Sequence, residues 1–401
     1  MTVPSRPTHI DTMRERNLAL VLGEVARHQP VTRARLAELT GLTKTTVATQ
    51  VAILEELRLT TSSGPVRAGS RGRPGAPISL ASGPVAGLGL EVNGHYLAAC
   101  VLDLTGAVLL SETLEGDNRG RPPNDTVDAL ADLARGITGQ AARQGLEVVG
   151  TQVALPGVLV DDRVNAPNLG WKAVRARQLL AGALPSQPLG VGVDNEANLG
   201  ALGELWYGSG QGAGSYLYLS GETGIGAGIV VDGELFRGAH GAAGELGHVV
   251  VDPQGPPCAC GGRGCLEQVA GLDAVLNAAA VPDPAQSAQP AEAKVAELVR
   301  RLEDRDPDAC RAVEAAGRGL AVALVGAVNL LDPDTVVLGG LHARLAPWLI
   351  PTIEEAVARS GNTLRGRTPA LRPSSLATQS AVRGAAGAVI ARILADPLSL
   401  S

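Results

Sequence analysis

GHVVVDPQGPPCACGGRGCLEQ, residues 247–268, carries three of the chain's five cysteines. His248 is followed after nine residues by Cys258, then by Cys260 and, beyond four more residues, by Cys265. Three thiolates and one imidazole make up the tetrahedral set of a zinc ion, and a shell filled by protein makes that ion structural rather than hydrolytic. Gly255, Gly261, Gly262 and Gly264 fill the segment and give the backbone the positive φ values needed to wrap one ion. A redox pair would show Cys-x-x-Cys. The spacing therefore favours zinc over redox chemistry or chance. Cys100, in an apolar strand pattern, and Cys310, in a helical one, read as packing residues.

Around this segment, strand and helix patterns alternate. VAGLGLEV, YLAACVLD and AVLLSETL (residues 85–114) read as three strands, followed by the helix TVDALADLARGITGQAARQ and the strands EVVGTQVALP and PLGVGVD. A helix from Asn195 to Trp206 precedes the strands SYLYLS and IGAGIVVDG, and DTVVLGG near residue 335 is a strand ending in a glycine pair. Alternation of this kind predicts an α/β body.

A chain of 401 residues is too long for one compact core, so two or three domains are expected. It is 45% hydrophobic, 18% charged and only 2% aromatic, with 51 glycines, which suits a soluble protein with many tight turns and an aliphatic core. No run of about eighteen apolar residues suggests a membrane span. The N-terminus, MTVPSRPTHIDTMRERN, lacks a signal-peptide core, which places the protein in the cytoplasm. An odd number of cysteines argues against a disulfide framework.

Charge is divided unevenly. Residues 1–80 carry 11 basic and 6 acidic residues, a balance of +5, while the remainder stands at −11. A basic head on an acidic body points to a polyanion at the head. There Leu18, Val21, Leu22 and Val25 fall at helical spacing. Thr32 suits the N-cap of a short second helix, Gly41 a turn, and Thr43 the N-cap of a third helix with the stripe Val47, Val51, Leu54 and Leu57. Helix, short helix, glycine turn and longer helix is the order of a helix-turn-helix, whose last helix enters the major groove by its N-terminal part. Thr43, Lys44, Thr45, Thr46, Thr49 and Gln50 occupy that part. TTSSGPVRAGSRGRPGAPISL has the length of a β-hairpin wing, and Arg71 and Arg73 at its tip suit a narrow minor groove. The alternatives are a three-helix bundle that binds nothing and a flexible linker. The wing directly after the helices favours DNA contact.

GAAGELGHVVVDPQGPPCACGGRGCLEQ is similar to the signature of the ROK family of repressors, open reading frames and kinases. NAPNLGW, VDNEANLGALGE and SGETGIGAGIVVDGELFRGAHG follow the order and spacing of that family, over about residues 85–401. The head resembles that of the xylose, glucose and N-acetylglucosamine repressors within it. The resemblance implies a winged helix-turn-helix (residues 1–82) followed by a two-lobed, actin-like or sugar-kinase-like body (residues 83–401). Its lobes would comprise residues 83–194 with a C-terminal helix at 379–396, and residues 195–378. It also implies a sugar site at Asn168, Asn195, Glu196, Glu245, His248 and Glu267. His248 would serve two roles, with one ring nitrogen on the structural zinc and the other toward a sugar hydroxyl.

Family kinases carry Asp-x-Gly-Gly-Thr after the first strand to hold ATP phosphates, and Asp as the base that takes the hydroxyl proton. This chain has EVNGH (residues 91–95) and Glu196 at those places, and it carries a basic head that a kinase does not need. These departures argue against ATP as a ligand, although GETGIGAG (residues 221–228) still resembles a phosphate loop. The expected function is a sugar-responsive regulator, most simply a repressor. Its expected partners are double-stranded operator DNA, a sugar effector and further copies of itself in a dimer or tetramer, with no membrane. The alternatives are an ATP-dependent sugar kinase of glucokinase type carrying a DNA-binding head, and a scaffold that has lost its sugar.

Overall fold

The computed structural model describes residues 10–63, 76–222, 224–281, 291–365 and 368–400. The head consists of α1 (Ile10–His28), α2 (Arg33–Thr40) and α3 (Lys44–Glu56), followed by the antiparallel pair β1 (Thr60–Ser62) and β2 (Ile78–Leu80). Local chemistry sets these boundaries. Thr32 Oγ1 accepts from the Arg35 amide at 3.3 Å and Thr43 Oγ1 from the Thr46 amide at 3.1 Å, each satisfying an amide that the first turn leaves without a partner. Gly41 ends α2 in the left-handed region at φ 69°. Arg71 and Arg73, expected at the wing tip, lie outside the described residues.

The body is built on two five-stranded sheets. The first, in the order β10-β6-β3-β4-β5, takes β3 (Val85–Val92), β4 (Tyr96–Asp103), β5 (Val108–Glu115), β6 (Glu147–Leu155) and β10 (Val191–Asn195). Strands β3 and β4 are buried along their whole length, as expected of strands covered on both faces. Helix α4 (Pro123–Arg143) leads into β6, and a small sheet of β7 (Val158–Val160), β8 (Arg163–Ala166) and β9 (Trp171–Val174) precedes α5 (Ala176–Ala183). Helix α6 (Glu196–Tyr207) then leads to the second sheet, ordered β13-β12-β11-β14-β15. Its strands are β11 (Tyr216–Gly221), β12 (Ile225–Val231), β13 (Glu234–Phe236), β14 (Thr335–Leu338) and β15 (Ala370–Pro373).

The helices of this second half are α7 (Glu267–Ala270), α8 (Leu272–Ala278), α9 (Ala291–Glu303), α10 (Pro307–Leu331), α11 (Gly340–Arg344) and α12 (Ala346–Arg365). The chain closes with α13 (Ser380–Ala395), which packs on β3, β4, β6 and α6. Helices α6 and α13 meet backbone to backbone. A Cβ at Gly203 would overlap the Ser380 carbonyl, and one at Gly384 the Leu199 carbonyl. Near that crossing the buried Glu204 carboxylate accepts from the hydroxyls of Ser374 and Ser380 and, at 2.7 Å, from the Ser209 amide. The head is not a separate bead. Leu18, Val21, Leu22 and Val25 of α1 share one apolar cluster with Val85, Val149, Val389, Ile390 and Ile393 of the body.

Two details differ from the sequence reading. Asn195 stands before α6 as its cap rather than within it. Gln50, expected on the DNA-facing side, is buried at 5% exposure beside Val47 and Val51, because position 50 falls next to the apolar stripe of α3 at 3.6 residues per turn. Cys100 is buried as expected, and Cys310 is half-buried.

Candidate functional site: a Cys3His cluster beside an acidic cleft

The loop from Glu245 to Glu267 folds back on itself through isolated bridges between Val250 and Cys265 and between Pro257 and Arg263. Arg263 Nη1 donates to the Gly255 carbonyl at 2.6 Å. Gly264 lies at φ 67°, and a Cβ there would overlap the Asp252 carbonyl, so only glycine permits the return. The fold gathers His248, Cys258, Cys260 and Cys265, whose ligand atoms all lie within 4.8 Å of one another. Cys260 Sγ stands 3.7 Å from Cys265 Sγ, and Cys258 Sγ 3.7 Å from His248 Nδ1. Four ligands about 2.3 Å from one centre have tetrahedral edges of about 3.8 Å, so the set fits a metal ion. Burial, followed by the neighbouring thiols, pushes Cys265 up to about 12, whereas the Gly262 amide holds Cys260 below the usual thiol range. The four residues can hold a metal.

With Nδ1 turned to the cluster, His248 Nε2 points the other way and lies 3.8 Å from Glu245 Oε2. Glu267 opens α7, and its Oε2 accepts from Asn168 Nδ2 and from the Ile225 amide, both at 3.3 Å. A Cβ at Gly224 would overlap this same carboxylate and the Asn168 amide. Glu196, at the first turn of α6, is raised to about 7 by burial and then by the charges of Glu267 and Glu245. The structure thus brings together Asn168, Glu196, Glu245, His248 and Glu267, a ring of acceptors and one amide of the kind that reads polyol hydroxyls.

Asn195 contributes differently. Its Oδ1 caps α6 by accepting from the Ala197 and Asn198 amides at 2.8 and 3.1 Å, and its Nδ2 donates to the Gly157 carbonyl at 2.8 Å. These bonds fix its side chain beside Glu196 and leave one Nδ2 hydrogen uncommitted. The preceding residue, Asp194, was not singled out in the sequence. It accepts two bonds from Arg237, at 2.9 and 2.6 Å, and so ties β10 to the segment after β13.

Further along the cleft, Glu91 ends β3 almost fully buried, with Oε1 accepting from the Tyr96 hydroxyl at 2.9 Å. Burial and then Glu196 raise it to about 8. Burial and then Glu91 hold Glu222 well above the carboxylate range. The His95 amide donates to Asn93 Oδ1 at 3.0 Å, and its buried ring is held below the usual imidazole range by burial and then by Arg119. A cavity of about 320 Å³ is lined here by His95, Glu115, Glu222, Glu292 and Arg344 among others. Glu91 and Glu222 sat in two stretches quoted from the sequence, but the reading there followed the glycines and missed the acids.

In the head, Thr43, Lys44, Thr45 and Thr49 are exposed at the start of α3, and Thr46 is half-buried. The Thr43 and Thr46 hydroxyls lie 2.9 Å apart, and Thr49 Oγ1 donates to the Thr45 carbonyl at 3.1 Å. Lys44 is the one cation of this group.

The ROK family model matches residues 87–392. The chain belongs to the ROK family. A xylose repressor of Bacillus subtilis is 28% identical over 384 residues, which span 94% of this chain and 96% of the repressor. The crystal structure of a ROK family transcriptional regulator, a homologue of the E. coli MLC protein, superposes with a TM-score of 0.78 at 26% identity and covers 97% of this chain and 98% of its own. A ROK glucokinase from Streptomyces griseus, solved with glucose and AMPPNP, gives a TM-score of 0.63 at 25% identity and covers 76% of this chain and 98% of its own. The ROK regulators match end to end, and the ROK kinase leaves about a quarter of the chain unmatched.

Proposed function

We propose that this ROK protein is a cytoplasmic, sugar-responsive transcriptional repressor, with a DNA-binding head at residues 1–82 and a sugar-binding body at 83–401. The body's lobes are residues 83–194 with 379–396, and residues 195–378. One observation carries the reading: the similarity to a xylose repressor and to a ROK regulator structure runs through the head as well as the body. Asn168, Glu196, Glu245, His248 and Glu267 take the sugar hydroxyls, and Asn195 holds Glu196 in place. A structural zinc at His248, Cys258, Cys260 and Cys265 neutralises the thiolates and fixes the loop. His248 then presents Nε2 to the sugar in a set orientation.

Lys44, Thr43, Thr45, Thr46 and Thr49, with Arg71 and Arg73 from the wing, meet double-stranded operator DNA, and the cations supply the salt-dependent part of the affinity. Two copies place two recognition helices in successive major grooves, and a tetramer extends the same arrangement. Sugar shifts the equilibrium only if it binds one lobe arrangement better than the other. The packing of α1 on α13 and the first sheet gives a route by which lobe movement tilts the heads.

No phosphoryl transfer is assigned. Glu196 is a methylene longer than the kinase aspartate, and an ångström of misplacement costs about a hundredfold in rate. The test is operator-fragment anisotropy across a panel of pentoses, hexoses and their N-acetyl and phosphate derivatives, run beside an ATP-coupled assay. Release by one sugar without ATP turnover is expected. Turnover at about 1 s⁻¹ or more overturns the reading in favour of a kinase.

A further inference from the structure

Two buried polar atoms face one another between the first sheet and α8 without bonding. His95 Nε2, at the turn between β3 and β4, lies 3.9 Å from Oδ1 of Asp273 in the first turn of α8, beyond the roughly 2.7–3.2 Å of a hydrogen bond. Among the described residues neither atom has a hydrogen-bond partner, and buried polar atoms are costly to leave in that state. The other carboxylate oxygen is engaged, because Arg119 Nη1 donates to Asp273 Oδ2 at 2.9 Å. Asp273 is thus gripped by one of two groups that reach it from the side of the first sheet.

Both groups are firmly set. Asn118, 2% exposed, donates through Nδ2 to the Asn93 and Tyr96 carbonyls at 2.8 and 3.1 Å, and through its amide to the Gly94 carbonyl at 2.9 Å. These bonds tie the Arg119 loop to the His95 turn. Asp117 accepts from the Arg119 amide at 3.0 Å and from its Nε and Nη2, each at 2.9 Å, which turns Nη1 to Asp273. Burial and then Arg119 hold the His95 ring below the usual imidazole range, so at neutral pH it can donate as a neutral N–H.

Asp273 anchors the segment that carries the acids of the cleft. It follows Glu267 by six residues and Cys265 by eight. Helices α7 and α8 run on with only Gly271 between them, and a Cβ at Gly271 would overlap the Glu267 carbonyl. The Leu272 amide donates to the Glu222 carbonyl at 3.2 Å, and the buried His342 Nε2 donates to the Ala270 carbonyl at 2.8 Å. The two short helices therefore pack as one piece, and the shift of about 1 Å that would complete the His95 bond is carried to Glu267.

We propose that Asp273 is a positioning residue of the acidic cleft: Arg119 holds its Oδ2, and His95 Nε2 closes onto its Oδ1 when sugar fills the cleft, drawing α7 and Glu267 into place. Sugar that binds the closed arrangement better supplies the bias. The closing step rests on the sugar reading, and the grip of Arg119 on α8 does not.

Amide exchange of the full chain tests the grip without any ligand. Arg119→Ala and Asp273→Ala are each expected to speed exchange over residues 267–278 about tenfold, and His95→Ala to leave it within about twofold. Unchanged exchange in Asp273→Ala overturns the proposal. Calorimetric titration with D-xylose, D-glucose and N-acetyl-D-glucosamine tests the closing step. His95→Ala is expected to weaken binding of whichever sugar the unaltered chain takes by about tenfold. His95→Gln, whose side-chain amide reaches about as far as the ring Nε2, is expected to restore most of it. Adding His95→Ala to Asp273→Ala is expected to cost nothing further, as befits two groups in one contact. A histidine that only fills space would give additive losses and no rescue by glutamine; that result, or full affinity in His95→Ala, overturns the closing step. If the unaltered chain takes none of the three, the closing step falls with the sugar reading, while faster exchange in Arg119→Ala and Asp273→Ala leaves the grip standing.

Discussion

The His248 imidazole lies between two sites, with Nδ1 3.7 Å from Cys258 Sγ and Nε2 3.8 Å from Glu245 Oε2. One ring joins the cysteine cluster to the acidic cleft, so the condition of the first governs the second. Stripping the metal with a chelator, or Cys265→Ser, is expected to lower the melting temperature and to abolish the sugar-induced shift together. Glu267→Ala is expected to abolish the shift while metal analysis still finds a full complement. A Glu267→Ala protein that responds to sugar normally would remove Glu267 from the site.

The pH dependence follows from Glu91. Its ordinary value of 4.5 is raised to about 8 in the fold, so the folded protein keeps a proton that the unfolded chain releases. Stability present below 4.5 is therefore lost as pH rises toward 8, with a slope of at most about 1.4 kcal/mol per pH unit. Glu196 titrates near 7 and contributes to the lower part of that range. Urea melts from pH 5 to 9 are expected to show the decline, and Glu91→Gln to make it shallower between 7 and 8, where the raised Glu222 still contributes. An unchanged slope in Glu91→Gln would show that Glu91 is already ionised at neutral pH.

Asn195→Ala removes the α6 cap and the bond to the Gly157 carbonyl. The expected cost is about 1–2 kcal/mol of stability, seen as a lower urea midpoint, with weaker sugar binding because Glu196 loses its anchor. Asn195→Asp keeps the capping oxygen but sets an acceptor against the Gly157 carbonyl, and is expected to recover only part of the stability.

In the head, Lys44→Ala is expected to weaken operator binding and to reduce the slope of log affinity against log salt by about 1. Gln50→Leu is expected to leave operator affinity within about twofold and to preserve or raise stability, because among the described residues the buried Gln50 Oε1 has no hydrogen-bond partner and removing such a group relieves a penalty. Strong loss of DNA binding in Gln50→Leu would mean that the side chain turns outward on the operator.

Where function was legible in the sequence, spacing had fixed chemistry. The Cys3His set, the threonine caps at 32 and 43 and the strand and helix alternation all follow from local rules that a reader can apply to one segment at a time. What escaped was decided by contacts between distant segments. Asp194 matters through Arg237, 43 residues on. Glu91 and Glu222 become unusual only when the fold buries them beside Glu196. Asn195 also caps its own helix, a role that shows only once β10 and α6 are in place. The inward turn of Gln50 was within reach, since a helical wheel places it beside Val47 and Val51.

The apolar cluster that α1 shares with β3, β6 and α13 has a practical corollary. Cutting the chain near residue 82 would not yield a tidy miniature of a headless kinase, because the body side of that cluster would lose the α1 side chains that share it. Swapping in a foreign DNA reader meets the same obstacle. Any transplanted module must bring its own match for that patch, or the hybrid will clump before it regulates anything.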